Sequence, residues 1–137
     1  MKRKIDSFED LFVWQQSIQF AKQIYLVTNL NQFKTDFGLK NQLRESSASI
    51  SSNIAEGFES QTQAQFIRYL GLAKASAGEV RSQLYVSRDL DYITQEQFTK
   101  AFAVAEKASR QTARFISYLE THPQSQKVRE DSAEYEV

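Results

Sequence analysis

Two carboxylates, Glu56 and Glu79, are the residues of this 137-residue chain whose type and placement come nearest to chemistry. They fall on two expected helices joined by the short link Glu59-Ser60-Gln61, and short links favour antiparallel neighbours. Both side chains would then reach one part of a bundle, near Asn53 and Ser76. Two carboxylates sharing a site could hold a metal or perform general acid–base work. A di-iron bundle, however, also needs Glu-x-x-His on two helices, and the single histidine, His122, stands beside Pro123. The structural reading is the stronger one. Asn53, Glu56, Ser76 and Glu79 are expected to form a polar network with serine hydroxyls and an arginine such as Arg44, because buried carboxylates need partners.

Other chemistries find less. Serines are plentiful, but no histidine is arranged to activate one, and a triad needs a base. The four glycines are isolated, so no phosphate-cradling loop forms. Cysteine is absent, which removes thiolate metal ligands, disulfides and a cysteine nucleophile. His122 reads as a partner for the negative end of a helix dipole. The expectation is a non-enzyme with no catalytic residue, metal, cofactor or small-molecule substrate.

Basic residues recur at helical spacing. Lys74, Arg81 and Arg88 repeat every seven residues, as do Lys100, Lys107 and Arg114, with Arg110 alongside. The first row lies beside the apolar stripe of its helix, and the second lies opposite the core face of its own. Repeated around an assembly, such a row becomes a positive band able to hold RNA or DNA phosphates in a salt-dependent way, with Tyr85 and Tyr118 near enough to stack on bases. The competing reading is a solvated face balanced by Glu79, Asp89, Glu96 and Glu106, and the charge balance favours it. Lys plus Arg equals Asp plus Glu at 17 each; without the segment from Pro123 onward the body keeps 15 basic and 13 acidic residues.

The elements that must position these groups are helices. Apolar residues at 41% and charged residues at 25% suit a soluble globular chain with one helical core. No apolar run approaches membrane-spanning length, and Met1-Lys2-Arg3-Lys4 leads into no signal-peptide core, so a cytoplasmic location is expected. Helix one is expected over about 8–30, capped by Ser7. It carries two apolar faces, Leu11, Trp14, Ile18, Ala21 and Tyr25 on one, and Val13, Phe20, Ile24 and Val27 on the other. Asn29 to Phe37 is the longest connector.

Helix two is expected over about 39–58. Its Ser46–Gly57 stretch is serine-rich, yet Ile50 and Ile54 four apart with a closing glycine argue helix rather than loop. Helix three, about 62–91, carries the stripe Phe66, Leu70, Ala73, Ala77, Val80 and Leu84, with Leu72, Val86 and Leu90 on another side. Gly71 and Gly78 inside it each cost about 1 kcal/mol against alanine, for which close packing at those turns is the expected compensation. Helix four, about 94–121, is capped by Thr94 and is expected to bury Phe98, Ala101, Phe102, Ala105, Ala108, Thr112, Ile116 and Leu119. Residues 123–137 are polar and acidic and are expected to be a disordered tail.

These residues also carry a resemblance. Phe8-Glu9-Asp10-Leu11-Phe12-Val13-Trp14-Gln15, then Gln42-Leu43-Arg44 with Ser49 to Gly57, then Phe66 to Leu70 and Ala73 to Leu84, resemble in order and spacing the four-helix-bundle family of 23S rRNA-intervening-sequence proteins. The resemblance implies an antiparallel up-down-up-down bundle assembling as a homopentameric ring. The accessory variability protein of diversity-generating retroelements is similar in fold, and that similarity would imply nucleic acid as a partner; this chain lacks its strong positive charge.

The combined expectation is an all-α bundle over residues 1–122 acting as a non-enzymatic oligomeric scaffold or adaptor for a protein partner, with the second apolar faces of helices one and three as subunit contacts. The alternative is an RNA- or DNA-binding accessory protein using the basic rows.

Overall fold

In the computed structural model, which describes residues 3–122 and 129–130, four helices carry the chain: α1 (Phe12–Val27), α2 (Phe37–Glu59), α3 (Gln63–Asp89) and α4 (Gln95–Thr121). They form an all-α four-helix bundle in which α2 packs on α1 and α3, and α4 packs on α3 and α1. A two-residue antiparallel pairing, Arg3–Lys4 with Arg129–Glu130, joins the ends of the described chain. The rest of the expected disordered tail, 123–128 and 131–137, lies outside the described residues.

The first helix is shorter than its sequence suggests. Phe8–Asp10 form a separate 3₁₀ turn, and Leu11 is extended at ψ 127° before α1 begins. The cause is local. The Asp10 carboxylate accepts from the backbone N–H groups of Asp6 and Ser7, closing the turn on itself, and Leu11 drops fully into the core. At the other end, Thr28 Oγ1 donates to the Ile24 carbonyl at 2.8 Å, so the last turn finds a side chain instead of another helical residue.

Each later helix opens on a side-chain cap. Asp36 accepts from Leu39 N–H, Thr62 from Gln65 N–H and Thr94 from Gln97 N–H, satisfying N–H groups that a helix start leaves orphaned. The connector before α2 is not a plain loop: Asn31–Phe33 make a 3₁₀ turn that buries Phe33 completely, edge-on to Tyr92.

The serine-rich stretch is helical throughout. Ser47 Oγ donates to the Arg44 carbonyl, Ser49 to Ser46 and Ser51 to Ala48, all within α2. With its hydroxyl satisfied at home, a serine becomes a small spacer that can be buried at little polar cost. Ser47 is fully buried between Leu43 and Ile50, which with Ile54 fill the centre. α3 approaches closely at Gly57, where a Cβ would stand 2.8 Å from both Phe66 Cδ1 and Tyr69 Cβ. Phe66 bridges the layers by edge contacts with Phe58 of α2 and Phe115 of α4.

The same argument fails for the other helical glycines. No heavy atom lies within 4 Å of a Cβ built on Gly71, and Gly78 meets only the far end of Arg81 at 3.5 Å. The close packing expected at both is absent within the chain, because both lie on the outer side of α3.

Candidate functional site

Residues facing one another across α2 and α3 decide the fate of the carboxylate pair. Ser46 Oγ donates to Glu79 Oε2 at 3.3 Å, Ser49 Oγ donates to Ser76 Oγ at 2.6 Å, and Gly57 abuts Phe66 and Tyr69. That register sets Glu56, the neighbour of Gly57, level with Tyr69, ten residues and about 15 Å of helix from Glu79. The two carboxylates therefore do not share a site. Glu56 is exposed and makes no hydrogen bond or ion pair among the described residues, and Asn53 Nδ2 donates only to the Ser49 carbonyl of its own helix. The network is smaller than expected and shifted: Gln83, Ser46 and Glu79 at one level, Ser49 and Ser76 at the next. Among the described residues no three His, Asp or Glu side chains gather as a metal site would need.

Arg44 leaves this network for another. Its Nε donates to Thr28 Oγ1 at 2.8 Å, and its Nη2 donates to Asn29 Oδ1 at 2.7 Å and to the Tyr25 carbonyl at 3.3 Å. The guanidinium also lies over the Tyr25 ring, 4.5 Å from its centroid. A cation placed on the Tyr25 carbonyl in the last turn of α1 meets the negative end of that helix and locks α1 to α2.

The basic rows are uneven. Lys74 and Lys100 are exposed, and Arg81 and Lys107 half-buried, none with an ion pair among the described residues. Arg110 pairs with Glu106 at 3.0 Å. Arg114 is exposed. Arg88 is bound within the fold: its guanidinium sits 4.6 Å from the Phe98 ring centroid, 5.1 Å from that of Tyr85, and 3.1 Å from Asp89 Oδ1. Tyr85 in turn packs on Phe98 and Phe102, and Tyr118 stacks on His122 at 4.3 Å. Both tyrosines expected to receive bases thus have ring partners at home. His122 Nδ1 lies 2.8 Å from the Tyr118 carbonyl, at the end of α4.

Two surface hollows accompany these features. One of 260 Å³ between α1 and α4 is lined by Leu26, Val27 and Ala101 with Lys100 at its edge. The other, 340 Å³, sits by Asp91, Tyr92 and Thr94. Neither sets an acid against a base: the first holds one cation, and the Tyr92 hydroxyl of the second is engaged elsewhere.

That engagement was not legible beforehand. Tyr92 donates to Asp36 Oδ2 at 2.9 Å, while Asp36 Oδ1 caps α2. The hydrogen bond to the carboxylate raises the phenol pKa above its ordinary value, with burial and the negative charge of Asp36 acting the same way. Also unforeseen are buried polar atoms without a partner among the described residues: Gln83 Oε1, Ser109 Oγ and Gln111 Nε2, the last on a side chain only 3% exposed.

Part of the exposed surface of α1 and α3 is apolar. Val13, Phe20 and Ile24 of α1 enter the core, while Ile18, Tyr25 and Leu26 on its other side are exposed, Leu26 at 60%. On α3, Leu72, Val86 and Leu90 are 42%, 45% and 51% exposed.

Sequence comparison agrees with this architecture. Residues 9–114 match the 23S rRNA-intervening sequence protein family. The chain belongs to that family. A crystal structure from Bacteroides thetaiotaomicron VPI-5482, of a protein with unknown function from the S23 ribosomal protein family, superposes with a TM-score of 0.70 at 27% identity. It covers 76% of this chain and 97% of its own. No curated protein matches. The family match begins in the 3₁₀ turn ahead of α1 and ends within α4, so it takes in Arg44, Gly57 and the exposed faces of α1 and α3.

Proposed function

We propose that this family member is a non-enzymatic, self-assembling helical scaffold, an up-down-up-down bundle whose copies close into a five-membered ring in the cytoplasm and present repeated surfaces to a protein partner. The observation that carries the reading is the pair of exposed apolar faces on α1 and α3, on helices whose opposite sides already complete a core. Apolar side chains grouped on a helix gain by leaving water, and grouped exposure of this kind marks interaction sites. The test is native mass by light scattering at micromolar concentration. A particle of five times the 15.8 kDa chain mass is expected; a monomer overturns the reading.

A second reading, RNA or DNA binding, draws on Lys74, Arg81, Lys100 and Lys107, which carry no ion pair among the described residues. Retention on immobilised RNA that falls steeply between low and moderate salt supports it. Retention unchanged by reversing those four charges defeats it.

A further inference from the structure

We propose that the exposed face of α3 is a seat for α1 of a second copy, with Lys22 of one chain set against Glu79 of the next. The inference rests on the self-assembly proposed above and says which surfaces meet, and in what register.

The seat is a flat strip between ridges. At about 100° of rotation per residue, Gly71, Ala75, Gly78 and Ser82 share one side of α3. Nothing lies within 4 Å of a Cβ on Gly71, and only the end of a flexible arginine approaches one on Gly78. A mid-helix glycine weakens its helix, and neither position has a close neighbour within the chain to compensate. Beside the strip stand Leu72 and Val86, both exposed, with Glu79 midway between them, seven residues from each.

The occupant follows from charge and spacing. Lys22 is the one charged residue of α1. It is exposed and makes no ion pair among the described residues. Ile18 and Leu26 lie four residues to either side of it, about 6 Å along the axis. Ala75 lies four residues before Glu79 and Ser82 three after, about 6 Å and about 4.5 Å. With Lys22 over Glu79, Ile18 and Leu26 come down on these small residues, large side chains meeting small ones as close helix packing requires. The other anion of α3, Asp89, is its last residue and already pairs with Arg88 at 3.1 Å. Unlike surfaces meet, so the contact is heterologous, and a closed ring forms when its rotation closes.

Analytical ultracentrifugation tests this with two blocked chains. Leu26→Glu spoils the α1 face and Val86→Glu the α3 face. Each alone is expected to sediment as a monomer, and the equimolar mixture as a one-to-one dimer, because each variant supplies the face the other lacks. Either variant assembling like the parent, or a mixture that stays monomeric, overturns the pairing. A second pair answers for any loss of fold in the first, since Lys22 and Glu79 are both exposed and the one tie of Glu79 to the fold among the described residues is the 3.3 Å hydrogen bond from Ser46. Lys22→Glu and Glu79→Lys are each expected to weaken self-association at least tenfold, and the double variant to restore it. A double variant as weak as the single ones overturns the register. An assembled parent with indifferent variants removes only this pairing; a monomeric parent removes the scaffold reading with it.

Discussion

Tyr92 and Asp36, 56 positions apart, are joined by a 2.9 Å hydrogen bond that ties the turn between α3 and α4 to the start of α2. One carboxylate does two tasks. Oδ1 caps α2 through Leu39 N–H while Oδ2 receives the phenol. Phe33, buried beneath Tyr92, makes the same junction apolar.

This junction gives a pH dependence with a fixed sign. The phenol pKa is raised in the folded chain above its ordinary value of about 10. The fold therefore favours the neutral phenol, and that stabilisation is complete below the unfolded value and lost as pH rises through the folded one. Tyr92→Phe should melt below the parent at neutral pH, with the gap closing above about pH 10. Thermal melts of both proteins across that range check this; a gap that does not change with pH contradicts it.

Gly57 marks a close approach of α2 and α3. Gly57→Ala places a methyl 2.8 Å from Phe66 and Tyr69 and should cost about 1–3 kcal/mol of stability through forced repacking. Gly38→Ala is the control. Its Cβ meets only Asp36 Oδ1 at 3.9 Å, and it should gain up to about 1 kcal/mol. Urea midpoints shifted in opposite directions are the expected outcome.

Arg44 holds α1 through three oxygens and one ring. Arg44→Lys keeps the charge but cannot reach Thr28, Asn29 and Tyr25 together, because an ammonium lacks the planar fork. A loss of about 1–3 kcal/mol is expected, as for a hydrogen-bonded charge. Equal unfolding curves for Arg44→Lys and parent would show that the fork is dispensable.

Arg88 separates packing from surface charge. Removing the guanidinium in Arg88→Gln strips the cover from Phe98 and should lower stability by about 0.5–2 kcal/mol. Retention on RNA, where it occurs, should keep its salt dependence, since this cation is already engaged with the rings and Asp89. Denaturation and RNA-column profiles of the one variant test both halves.

The sequence by itself determined the helices and most of the core. Ile50 and Ile54 four apart read correctly through the serines, because helical periodicity depends on where apolar residues recur and not on how polar their neighbours are. The cap residues Thr62 and Thr94 were equally readable in kind, since a short oxygen-bearing side chain before an apolar run has local geometry. The double apolar character of α1 was visible in part: Ile18 and Tyr25 of one expected face stand exposed, but Leu11 of that face is fully buried, and Leu26, the most exposed apolar residue of α1, belonged to neither face.

Only the tertiary structure decided which distant side chains meet. Glu56 and Glu79 looked like a pair because their helices are neighbours, yet the helix register separates them, and register follows from packing at Gly57 that no local pattern encodes. Arg44 could have served the carboxylates; it went to the end of α1, where one carbonyl, two side-chain oxygens and a ring offered more partners. Tyr92 and Asp36 sit in two connectors, where no periodicity exists to predict a partner. Local sequence fixes the dihedral angles of a segment and the face it buries; the rotation and sliding of one helix against another are settled jointly by every side chain at the contact.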